Sequence, residues 1–160
     1  MKKGLTIFLQ VIIALIGIGT LAAMLWEPHL EGRNAHVTLF EIYFKDPFLA
    51  YVYLASISFF VALYQAFKIL GYAGQNKVFS QAAVKALRTI KYCAMILIAF
   101  IMGAEIHSFI VVRGHDDVAG SVMMGFFLML SSAIVAATAT VFQKLLQRTI
   151  ELKSENELTV

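Results

Sequence analysis

Residues 92–112 read YCAMILIAFIMGAEIHSFIVV, a run with one charged side chain, Glu105, held between Lys91 and Arg113. At 1.5 Å per residue a helix of this length covers about 30 Å, the thickness of bilayer hydrocarbon. The wider composition agrees, because 60% of the 160 residues are hydrophobic and only 14% are charged. Ordinary soluble domains carry about 25% charged residues. The run therefore predicts a membrane-spanning helix, and three comparable runs accompany it.

Helical spacing begins upstream of residue 92, with Val84, Leu87 and Ile90 on one face and Lys85, Arg88 and Lys91 on another. Ser80 is suited to cap this helix. The preceding apolar run covers residues 48–70. Asp46 can cap it, Pro47 can occupy the first helical position, and Gly71 and Gly74 are expected to supply the positive φ that ends it.

The first run, residues 5–25, follows Lys2 and Lys3 and closes on Trp26, an aromatic suited to the headgroup level. It resembles a secretory signal with cleavage after Ala22, yet it exceeds the usual h-region of about 7 to 15 residues, so a retained anchor is expected. The last run, residues 118–142, follows Asp116 and Asp117 as candidate caps. Beyond it Leu145, Leu146, Ile150 and Leu152 alternate with Lys144, Arg148, Glu151 and Lys153, an amphipathic extension whose order should fade near Ser154. The expected fold is all-α, an integral membrane four-helix bundle in a single domain over residues 1–160, with a cytoplasmic tail over residues 143–160.

Orientation follows from the basic residues. Lys2, Lys3, Lys68, Lys77, Lys85, Arg88, Lys91, Lys144, Arg148 and Lys153 fall on one side, and Arg33, Lys45 and Arg113 on the other. Both termini are accordingly expected in the cytoplasm, across a bacterial cytoplasmic membrane. The net charge of +3 reflects this topology, and no direct nucleic-acid partner is expected. Lys77, Lys85, Arg88 and Lys91 are candidate contacts for anionic lipid headgroups or for a partner protein.

Few residues offer chemistry. Cys93 is the sole thiol, which removes disulfide exchange and cysteine-paired zinc spacings and suits a small packing residue. Glu105 lies about 4.5 Å from the centre of its span, where an ionised carboxylate is costly. Counting from the span midpoints brings Ser56, Phe127, Gly17 and Ile18 to its depth, with Ser56 the best level partner and Ser58 and Tyr53 within reach of a tilted helix. A protonated Glu105 hydrogen-bonded between helices is the structural reading; ion or proton handling is the functional one. His107, two residues on, projects about 200° away.

The outer segments collect His29, His36, His115, Asp116 and Asp117. Their spacing matches no metal motif, so solvated loop chemistry is preferred and no metal or cofactor is assigned. No nucleophile and base pair or phosphate-binding loop occurs, so no catalytic residue is assigned. Small residues permit close helix approach at Gly17 and Gly19, at Ala133 and Ala137, and at Ser132, Ala136 and Thr140, while Met123, Met124 and Met129 are expected to fill gaps.

The inner segment NKVFSQAAVKALRTIKYCA, the outer HDDVAG and the ending FQKLLQRTIELKSENELTV together resemble the bacterial membrane proteins grouped as domain of unknown function 2975. That family commonly has a proline before the glycine of the outer turn, where this chain has Ala119. The resemblance implies four membrane helices and brings no substrate, reaction or cofactor; genes for small helix-turn-helix regulators often lie beside those of the family. A non-enzymatic regulatory, sensing or interaction protein ranks first, with the bilayer, a second copy and a cytoplasmic regulatory protein as the partners to consider. A small transporter or ion-handling protein using Glu105 ranks second, and an enzyme third.

Overall fold

The structure is a computed structural model that describes residues 3–30, 47–111 and 118–158. Four helices occupy nearly all of them: α1 Lys3–Leu30, α2 Pro47–Gly74, α3 Gln81–Val111 and α4 Val118–Leu158. All four are long and apolar enough to cross a membrane, by length and composition. Large apolar side chains point outward along each of them, Ile18 at 65% and Ile110 at 73% exposure among them. Water would penalise such a surface, whereas hydrocarbon accepts it and forces every backbone polar group into helical hydrogen bonds.

Packing follows chain order. Among the described residues α1 lies against α2, α2 against α3, and α3 most extensively against α4. The α1–α2 crossing is antiparallel and joined at both ends by polar groups. Near one end the Gln10 amide donates to Phe67 O at 3.2 Å. Near the other the Tyr53 hydroxyl donates to Met24 O at 3.0 Å. Between them Gly17 faces Leu63, whose Cδ1 would lie 3.6 Å from a Cβ added there.

α2 ends at Gly74, where the sequence places the end, but Gly71 and Gly74 serve the α1–α2 crossing and supply no positive φ. A Cβ on Gly74 would stand 3.0 Å from Thr6 Cγ2, and one on Gly71 would stand 3.4 Å from Gln10 Nε2. The two glycines, three residues apart, receive two side chains four residues apart, which is how neighbouring positions on facing helices meet. The positive φ falls instead on Asn76, at 56°. Lys77 N–H bonds Tyr72 O at 2.8 Å and Asn76 N–H bonds Ala73 O at 3.4 Å, the paired bonds of a Schellman cap with asparagine in the left-handed position. Asparagine tolerates that conformation because its short polar side chain can bond locally. Four residues later Ser80 caps α3, its Oγ accepting from Ala83 N–H at 3.3 Å.

The tightest packing lies at this same basic end, between the start of α3 and the second half of α4. Ala83, Val84, Ala86, Ile90, Cys93 and Ala94 of α3 are buried, as are Ala139 and Leu146 of α4. Alanines let the two backbones approach closely, and Tyr72, Val78, Leu87 and Ile150 close around the Ala83–Val84–Leu146 contact. Of the small residues on α4, Ser132, Ala136 and Thr140 are half-buried while Ala133 and Ala137 face outward. Met123 and Met124 also face outward, at 58% and 66% exposure, in place of filling gaps.

α4 is the longest element. Its 41 residues extend about 60 Å, twice the hydrocarbon thickness. The helix continues past Ser154 to Leu158, carried by the good helix formers of the tail and by a Gln147 Nε2 to Glu151 Oε1 bond at 3.2 Å.

Candidate functional site

Glu105 sits on the α4-facing side of α3, half-buried. Its side chain lies over Gly125 of α4 and fills the space a Cβ there would need, with Glu105 Cδ 2.6 Å from that position. Its Oε2 is buried and has no hydrogen-bond partner among the described residues. Gly125 is itself buried. The arrangement places a carboxyl group within an apolar helix contact without a protein donor or cation on that oxygen, a costly placement in a membrane.

The other residues proposed to join Glu105 are elsewhere. Tyr51 beside Gly103 and Phe48 beside His107 fix an antiparallel α2–α3 register. Glu105 is thus level with residues 49–50 of α2, about 9 Å along the axis from Ser56. Tyr53 turns toward α1 to meet Met24 O. The Ser56 hydroxyl donates to Tyr53 O of its own helix at 2.7 Å, and Ser58 is half-buried on α2. Counting from midpoints suggests Phe127 as the α4 neighbour, whereas the contact is Gly125 two residues earlier, because the spans differ in length and do not share a common centre.

His107 lies across α3 from Glu105. Its ring stacks on Phe48 with centroids 6.3 Å apart. Pro47, Phe48, Tyr51, Gly103, Ala104 and His107 line a cavity of about 390 Å³ between α2 and α3. The Tyr51 hydroxyl is held at its edge, donating to Phe100 O at 2.7 Å. Gly103 is needed there, since Tyr51 Oη occupies the place of a Cβ on that glycine. Neither Tyr51, Gly103 nor Gly125 stands out in the sequence, where a tyrosine and two glycines in apolar runs look like ordinary span residues. Thr6, fully enclosed with its Oγ1 unpaired, is equally unremarkable there.

Lys77, Lys85 and Arg88 are exposed at the basic end, and Lys91 places its ammonium 5.2 Å from the Tyr92 ring centroid. His36, His115, Asp116 and Asp117 lie outside the described residues, and of His29 only the backbone, in α1, is described. Among the described residues no three His, Cys, Asp or Glu side chains come together to hold a metal. Cys93 is a free thiol, buried within the helix packing.

Residues 34–160 match the family described as protein of unknown function DUF2975. Over the full length of both chains the protein is 39% identical to the uncharacterized membrane protein YoaS of Bacillus subtilis strain 168. No solved structure matches. With four candidate spans in hand, the chain is a multi-pass bacterial membrane protein and belongs to the DUF2975 family.

Proposed function

We propose that this protein is a non-enzymatic regulatory or interaction protein of the cytoplasmic membrane, with both termini in the cytoplasm and the end of α4 as its contact surface. The orientation is supported by ten basic residues on the side of the termini against three on the other. The contact surface is supported by one observation. Past Lys144, α4 engages α3 through Leu146 and Ile150 while Leu145 and Leu152 stay exposed, at 54% and 62%. Leu152 stands about 12 Å beyond Lys144 along the axis, outside the hydrocarbon, where an exposed leucine pair one heptad apart suits a partner helix or groove. The partner class is a cytoplasmic regulatory protein.

Affinity capture of the full chain from membranes, compared with Leu145→Glu/Leu152→Glu, tests this. These substitutions leave the Leu146 and Ile150 packing in place. Loss of a cytoplasmic partner is the expected result, and an unchanged set of captured proteins rules against docking by α4.

Ion or proton handling is a second reading, favoured by the unpaired Glu105 Oε2 at the α3–α4 contact. It requires flux through reconstituted protein that Glu105→Gln abolishes. Equal flux in the two proteins removes it.

A further inference from the structure

The cations of α2, α3 and α4 form a belt at one height. The α2–α3 register set by Tyr51 with Gly103 and Phe48 with His107 puts Lys68 level with residues 86–87. The α3–α4 register set by Glu105 with Gly125, and by Leu146 with Ala83 and Val84, puts Lys144 level with residue 86. Lys68, Lys85, Arg88, Lys91 and Lys144 therefore fall within about 9 Å along the helix axes.

Two tyrosines mark the same plane. Lys68 Nζ stands 5.5 Å from the Tyr64 ring centroid and Lys91 Nζ 5.2 Å from that of Tyr92. Both rings are exposed, at 61% and 53%, and both lie on the side of their lysine that leads toward the middle of the span. An amphipathic ring below an ammonium is the arrangement of the membrane–water interface, with the ring at headgroup level and the charge just outside it.

Among the described residues no carboxylate of α3 or α4 lies level with the belt. Along α4 the nearest acidic residue is Glu151, about 10 Å further from the membrane centre than Lys144, and its Oε1 already accepts from Gln147. On α3 the nearest is Glu105, about 20 Å away toward the opposite end.

We propose that this belt is a binding surface for anionic phospholipid, with headgroup phosphates lying among Lys68, Lys85, Arg88, Lys91 and Lys144. The inference is independent of whether α4 docks a protein. Native mass spectrometry of the full chain, titrated in detergent with equal amounts of phosphatidylglycerol and phosphatidylcholine, tests it. Wild type is expected to retain phosphatidylglycerol preferentially. Lys85→Gln/Arg88→Gln should cut that preference about thirtyfold, the order expected for two interfacial cations at about 1 kcal/mol each, whereas Lys85→Arg should keep it. Equal retention of the two lipids by wild type, or an unchanged preference in the double variant, overturns the proposal. Displacement of the lipid by millimolar inorganic phosphate overturns it in favour of a free-phosphate site.

Discussion

Glu105 of α3 and Gly125 of α4 share one volume: the glutamate side chain occupies the place where any larger residue at position 125 would begin. This contact joins two helices whose remaining interface is built largely from alanines and so depends on close backbone approach. Gly125→Leu should therefore force the helices apart and cost about 1–3 kcal/mol, the usual range for overpacking. Thermal unfolding in detergent should show a lowered Tm for Gly125→Leu and none for Gly120→Ala, since Gly120 has open space around it. Glu105→Ala in the Gly125→Leu background should recover part of the loss.

At the α1–α2 crossing, a Cβ on Gly74 would lie 3.4 Å from Thr6 Cβ, close to the separation a disulfide requires. Thr6→Cys/Gly74→Cys in a Cys93→Ala background should form an intramolecular disulfide on mild oxidation, read as a mobility shift on a non-reducing gel. Gly19→Cys/Gly74→Cys should not, because Gly19 lies more than three helical turns from Thr6. Dimers in place of the intramolecular product would refute the crossing.

The α2–α3 turn predicts an asymmetry between its two special residues. Asn76 has a φ of 56°, so Asn76→Gly should be neutral or slightly stabilising and Asn76→Val should cost about 1–2 kcal/mol. Ser80→Ala removes the bond from Ala83 N–H and should cost about 1 kcal/mol. Unfolding of the three variants under identical detergent conditions gives the comparison.

Tyr51→Phe deletes the hydroxyl that donates to Phe100 O while keeping the ring that packs edge-on against Phe100. A loss of about 0.5–1.5 kcal/mol is expected. Gly103→Val should cost more, because it displaces the Tyr51 ring as well. Equal stability of Gly103→Val and wild type would contradict the α2–α3 register.

Much of the fold is legible in the sequence because its determinants are local. The length of an apolar run sets a span, Pro47 opens α2 and Ser80 caps α3, each through interactions within a few residues. The helix end after Gly74 was legible only in part. Gly71 and Gly74 have the residue type that ends helices, yet their lack of a side chain is used against Thr6 and Gln10, some sixty residues away in the chain. The same limit hid the surroundings of Glu105. Its cost in hydrocarbon is plain from the sequence, but which helix it faces depends on rotation and register. Those are fixed by contacts such as Leu146 on Val84, which leave no local signature.

Site-specific photocrosslinking in living cells gives the sharpest check on the proposed docking of a cytoplasmic protein to the exposed end of α4. A crosslinking residue at Leu152 should yield a discrete adduct with a cytoplasmic protein, and one at the buried Leu146 should yield only intramolecular product with α3. No adduct at Leu152, or the same adducts at Leu152 and at Met124 far along α4 toward its start, would contradict it.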